Sequence, residues 1–99
     1  MSAIRAIKIT STVELVDVVS FQNAVGGAKE SIRLKDRGRM IVNRDGERLG
    51  MPQNSIASLV AGTMVYGPAV IVGVDDRGFY TDVPQEFTSL LTLAPFEYG

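Results

Sequence analysis

The chain contains no cysteine, so no disulfide can hold its fold and a packed hydrophobic core has to do so. Its 99 residues are enough for one such core and too few for two ordinary domains. Hydrophobic residues make up 45% and charged residues 21%, which is typical of a globular protein. We therefore predict one folded domain over residues 1–99.

The N-terminal part predicts a strand over residues 4–10, and the segment after it has two interpretations. Ser11 and Glu14 have the spacing of a capping box, which would open one long helix over residues 12–25. The valines of the same segment are β-branched and favour a strand instead.

We prefer to divide this segment into a strand over 12–16 and a short helix over 18–25. Asp17 would cap that helix, because an aspartate side chain accepts hydrogen bonds from the first turn. Gly26-Gly27 would end it, because glycine takes the left-handed conformation of a C-cap without steric cost.

Residues 28–49 have the pattern of a three-stranded meander. Asp36-Arg37-Gly38 predicts its first turn. Asp45-Gly46 predicts the second, because a type I′ hairpin turn needs positive φ at both central positions. Further along, Asn54 is placed to cap a helix over 55–61, which Gly62 would end.

The C-terminal third predicts a strand pair and a last helix. Residues 69–74 are apolar on both faces and predict a central strand, joined by a turn at 75–78 to a strand at 79–82. Pro84 suits the first turn of a helix that Asp82 would cap. The residues expected along one side of this helix are Phe87, Leu90 and Leu91.

The resulting order of elements, β-β-α-β-β-β-α-β-β-α, predicts an α+β domain. We expect a mostly antiparallel sheet with about three short helices packed on one face. No apolar run reaches the roughly 20 residues that a membrane span needs. No secretory signal is visible either, so we expect a cytoplasmic protein.

The chain lacks the side chains that most enzymes use. Without histidine or cysteine it has no common acid–base group, no thiolate nucleophile and no usual zinc site. Asp75, Asp76 and Asp82 do not have the spacing of a calcium loop, and turn and cap roles account for them. We therefore predict a non-enzymatic protein with no catalytic residue, no metal site and no cofactor.

Charge is distributed unevenly along the chain. Residues 29–48 hold seven of the ten cationic residues against four acidic ones, whereas only Arg77 opposes five acidic residues from 49 onward. The basic segment disfavours nucleic acid as a ligand, because it contains no aromatic residue on which a base could stack. The charge asymmetry instead favours binding of a protein, including a second copy of the chain. The candidate binding residues are Arg33, Lys35, Asn43, Arg44, Asn54, Tyr66 and Tyr80.

An ordered set of short motifs resembles a known family, and the similarity extends from about Ile4 to Leu91. The motifs are Ala24-Val25-Gly26-Gly27, Glu30-Ser31-Ile32-Arg33-Leu34, Val42-Asn43-Arg44-Asp45-Gly46, Gly50-Met51-Pro52-Gln53-Asn54, Gly67-Pro68-Ala69-Val70-Ile71-Val72-Gly73 and Thr81-Asp82-Val83-Pro84. The family is one of small domains of unknown function that occurs in bacteriophages, notably those of actinobacteria, and in mobile elements. Its recurrent positions fall here on Asn43, Gly46, Pro52, Asn54, Gly67 and Asp82.

The resemblance implies expression inside an infected bacterium and implies no activity. Small phage accessory proteins often bind a host protein or blunt a defence system. We therefore expect a phage-type accessory protein that acts by protein–protein interaction with a host or defence component. The alternative is a protein that binds or sequesters a small nucleotide-like ligand through its arginine and aromatic residues.

Overall fold

The computed structural model describes residues 3–93, with side chains up to residue 89. Within these residues one antiparallel sheet of six strands packs against three helices. The strands pair in the order β2-β1-β5-β4-β3, and β6 pairs with the end of β5. The elements are β1 (Ile4–Ile9), β2 (Val13–Val18), α1 (Phe21–Val25), β3 (Lys29–Arg33), β4 (Gly38–Asn43), α2 (Ser55–Ala61), β5 (Ala69–Val74), β6 (Tyr80–Thr81) and α3 (Gln85–Leu93).

The fold class is confirmed, but the helices cover both faces of the sheet. Ile7, Met40 and Ile71 point to the face that α2 and α3 cover. Their neighbours in sequence, such as Ile41 and Val70, point to the face that α1 covers. β4 and β5 carry apolar side chains on both faces, so each face needs its own cover. We call the two sides the α2–α3 face and the α1 face.

Residues 12–25 form a strand and a short helix, as preferred from the sequence. Asp17, the predicted N-cap of the short helix, does not cap it, because β2 continues to Val18 and therefore includes Asp17. Ser20 caps α1 instead, and its hydroxyl accepts a hydrogen bond from the backbone N–H of Asn23 at 3.2 Å. Gly26 ends the helix with a φ of 82°, as predicted.

The second helix, α2, has the predicted bounds and caps. The side chain of Asn54 accepts a hydrogen bond from the N–H of Ala57, and Gly62 ends the helix at a φ of 73°. Ala57 is the residue of α2 that is fully buried, whereas the side chain of Leu59 is 85% exposed. Ile56 and Val60 also pack against the core of the α2–α3 face, so Leu59 is the apolar residue of this helix that points to solvent.

The predicted cap of the third helix is wrong. The carboxylate of Asp82 accepts a hydrogen bond from the backbone N–H of Arg5 at 2.9 Å, and the N–H of Val83 donates to the carbonyl of Arg5. Asp82 thereby attaches the chain before α3 to β1. Phe87 is buried on the α2–α3 face, as expected. Leu90 and Leu91 lie beyond the side chains that the structure describes.

The third strand of the predicted meander is replaced by consecutive turns over residues 44–50. Gly46 is not among the residues with positive φ, so no type I′ turn forms there. The N–H of Leu49 instead donates to the carbonyl of Asp45, and the N–H of Met51 donates to the carbonyl of Gly46. Gly46 is needed for space, since a Cβ at this position would overlap the carbonyl oxygen of Tyr66.

We expect Gly46→Ala to lower the free energy of unfolding by about 1–3 kcal/mol, because a backbone atom has to move to admit the new methyl group. Urea denaturation measures the change. Arg48→Ala is the control, since Arg48 is an exposed residue of the same turns. Equal stability of the two variants would contradict the steric role of Gly46.

Candidate functional site

Strand β3 forms one edge of the sheet and is exposed to solvent. Among the described residues only β4 pairs with it. Four of its five residues are exposed, and Ile32 is half-buried against the core of the α2–α3 face. An edge strand of this kind presents unpaired backbone groups to which another strand can add.

The hydrogen bonds at the two ends of the β3–β4 pair show which backbone groups are unpaired. The N–H of Arg44 donates to the carbonyl of Ala28 at 2.8 Å, and the N–H of Leu34 donates to the carbonyl of Gly38 at 3.0 Å. In an antiparallel pair, hydrogen-bonded residues alternate with residues whose N–H and C=O point away from the partner strand. The outward groups of β3 are therefore those of Lys29, Ser31 and Arg33.

The side chains of these three residues all lie on the α1 face, because Ser31 pairs with Ile41 of the α1-face core. Arg33 lies directly opposite Arg39 of β4. Like charges in directly opposite positions repel each other. No ion pair within residues 3–93 joins either arginine to a carboxylate. The β3 edge is thus bordered by cations that the fold leaves uncompensated.

A lysine and two aromatic rings meet on the α1 face. The ammonium group of Lys29 lies 5.9 Å from the centre of the Tyr80 ring. Tyr80 also contacts Phe21 of α1 edge to face, with 5.1 Å between the ring centres. Tyr80 was predicted as a binding residue, and the structure places it half-buried beside a cation from the β3 edge.

Two of the predicted binding residues, Asn43 and Asn54, are each only 5% exposed. The amide nitrogen of Asn43 donates to the carbonyl of Val25 at 3.1 Å, and its oxygen accepts from the N–H of Asp45 at 2.8 Å. Asn43 thereby connects the end of α1 to the turn after β4. Its polar atoms are engaged within the fold.

Asn54 makes a larger set of internal contacts. Its amide nitrogen donates to the carbonyls of Ile9 and Gly67, both at 2.9 Å, while its oxygen caps α2. One side chain therefore joins β1, α2 and the loop before β5. Such buried amides stabilise a fold because each polar atom has a partner.

The remaining predicted residues are distributed over the surface. Arg44 and Tyr66 line a groove of about 380 Å³ together with Asn43. Lys35 is exposed in the turn between β3 and β4 and lies apart from that groove. A larger and more apolar groove of about 490 Å³ is lined by Thr10, Pro52, Gln53, Asn54, Ile56 and Pro68.

Sequence reasoning missed Ser31 and Arg39. Ser31 is two residues from Lys29 and two from Arg33, so the alternation of a strand predicts that all three side chains lie on the same face of the sheet. Arg39 can be placed opposite Arg33 only when the register of β3 with β4 is known. The predicted turn at 36–38 indicates that register only approximately. The part of the chain that the structure describes contains no group of three or more His, Cys, Asp or Glu side chains able to hold a metal ion.

Comparison with known families confirms that the chain resembles a family of unknown function. Residues 2–94 match the family described as domain of unknown function DUF3846. The chain belongs to this family. No curated protein and no solved structure is significantly similar to this DUF3846 domain. Among the described helices of the domain, none is long and apolar enough to cross a membrane.

We expect Asn54→Ala to lower the free energy of unfolding of the DUF3846 domain by about 2–4 kcal/mol, since the change removes a helix cap and two buried hydrogen bonds. Asn54→Ser keeps a capping oxygen and should recover about 1 kcal/mol. Urea denaturation of each variant measures both changes. Asn23→Ala, at an exposed position of α1, is the control and should change stability by less than about 0.5 kcal/mol.

Proposed function

We propose that this domain is a non-enzymatic interaction module that binds a partner protein by strand addition to β3. The observation that carries the proposal is the set of outward backbone groups of Lys29, Ser31 and Arg33 along an exposed edge. An extended segment placed beside β3 could form a regular ladder with these groups without disturbing the pairing of β3 with β4.

The edge is selective because of its charge. Natural proteins protect edge strands with charged side chains, prolines, bulges or covering segments. Within the described part of the chain β3 is protected by charge, since the strand has no proline and carries Lys29 and Arg33 on the α1 face. A strand of the wrong charge is repelled, whereas a complementary one gains hydrogen bonds and ion pairs together.

The biological setting in our proposal is an accessory protein of a bacteriophage or mobile element. It would act in the cytoplasm of the infected bacterium on a host or defence component. The sequence resemblance to a family common in bacteriophages supports this setting. The lack of histidine and cysteine supports a role in binding and not in catalysis.

The proposal predicts that Ser31→Pro strongly weakens partner binding while leaving the fold intact. Proline removes the outward N–H at this position and adds a ring where the partner strand would lie. The N–H of Ser31 takes no part in the β3–β4 ladder, so the fold should tolerate the change. Binding should fall at least about tenfold, equivalent to about 1.4 kcal/mol.

The measurement is affinity capture from bacterial lysate with the full chain, followed by mass spectrometry of each captured protein. Ser31→Thr is the matched control, because it keeps the N–H and favours a strand. A thermal melt of each variant verifies folding. A protein captured equally by the wild type and by folded Ser31→Pro does not bind through the β3 edge, and a capture set made only of such proteins would refute the proposal.

A small nucleotide-like ligand is the second candidate function. The meeting of Lys29 with the rings of Tyr80 and Phe21 favours it, since a base can stack on an aromatic ring beside a phosphate-binding cation. A ligand at about 100 times its dissociation constant would add about 2.7 kcal/mol of stability, so a thermal-shift screen against nucleotides detects it. Tyr80→Leu should abolish the shift. Unchanged melting with every nucleotide would exclude this candidate.

A further inference from the structure

We propose that the segment bound at β3 is an antiparallel strand with two carboxylates four residues apart. This inference rests on the proposed strand addition, and it specifies the chemistry of the partner. Antiparallel pairing is chosen because it is somewhat more stable per residue than parallel pairing. The residues of the partner that face Lys29, Ser31 and Arg33 would then occupy alternate positions of the added strand and lie on the α1 face.

The carboxylate opposite Arg33 contributes most to recognition. Behind Arg33 lies Arg39, directly opposite it on β4, whose guanidinium donates to the carbonyl of Gly38 at 2.8 Å, so the carboxylate would meet Arg33 with a second positive charge in the same row. Guanidinium groups bind carboxylates through paired, charge-assisted hydrogen bonds. The added acid would also offset the repulsion between the two arginines. A second carboxylate four residues further along faces Lys29.

The other face of the added strand would meet Ile32 and Glu30. Ile32 is half-buried at the margin of the α2–α3 core, so an apolar residue opposite it would extend that core. Glu30 is exposed and favours a basic or polar residue opposite. From its N-terminus the partner segment therefore has the order acidic, apolar, small polar, basic or polar, acidic.

A second copy of the chain does not fit this edge through its own β3. In a two-fold antiparallel pair centred on Ser31, Lys29 of each copy would face Arg33 of the other. Centring the pair on Lys29, Glu30 or Arg33 places that residue opposite itself. Centring it on Ile32 places Lys29 opposite Lys35. Every such register opposes like charges, which destabilises the pair.

The other edge strand, β2, also lacks the required pattern. Its acids Glu14 and Asp17 are three residues apart and therefore point to opposite faces of the sheet. Asp17 is, in addition, within ion-pair distance of Arg5. The charges thus favour a partner strand from a different protein over self-assembly of this domain.

The test is a selection from a library of displayed nine-residue segments with all positions randomised, using the full chain as bait. Selected segments should carry Asp or Glu at positions four apart, with an apolar residue directly after the first acid. Their binding should fall at least tenfold with Ser31→Pro and remain with Ser31→Thr. Light scattering of the unbound bait should show a monomer.

A charge exchange separates recognition from general attraction. Arg33→Glu should weaken the selected segments at least tenfold, and a segment with lysine in place of its first acid should then regain binding to this variant. Arg77→Glu is the matched control, because Arg77 is an exposed cation in the turn between β5 and β6, outside β3, and should have a much smaller effect. Loss without recovery would overturn the assigned pairing of Arg33.

The remaining outcomes separate the two proposals. Segments that depend on Ser31 but lack the acidic spacing would overturn this inference and leave strand addition in place. Segments that bind equally well to Ser31→Pro, or no enriched segment at all, would overturn strand addition itself. A dimer of the unbound bait that Ser31→Pro dissociates would identify a second copy as the occupant and would also overturn this inference.

Discussion

The pairing of β5 with strands on both of its sides is the constraint on which the rest of the structure depends. Ile71 lies opposite Ile7 of β1 and opposite Met40 of β4, so one strand joins the two halves of the sheet. Because β5 is buried on both faces, helices have to cover both. This arrangement leaves β2 and β3 as the outermost strands.

The sequence predicted those elements whose local signals do not depend on distant contacts. Asn54 and Gly62 define α2 because a cap and a left-handed glycine act within one helical turn. Local signals failed where distant contacts compete with them. Asp82 is a residue type that often caps a helix, yet it accepts a hydrogen bond from Arg5 of a distant strand. Gly46 forms no hairpin turn and instead leaves space for the carbonyl of Tyr66.

The candidate site could be predicted from the sequence only in part. The alternation of Lys29, Ser31 and Arg33 indicates a shared face, and the basic character of this region is visible in the sequence. That β3 is an edge strand depends on the strand order, which no local pattern contains. Asn43 and Asn54 fall on recurrent positions of the resembled family, but their burial depends on how α1 and β1 pack against the turns beside them.

The alternation of hydrogen bonds along β3 also has a kinetic consequence. The backbone of β3 is already extended and its outward N–H groups face solvent, so β3 would not have to change conformation before a partner strand pairs with it. Complex formation of this kind is limited by diffusion and orientation, and the surrounding positive charge would accelerate encounter with an acidic segment at low ionic strength. Such a domain would be suited to rapid, reversible capture.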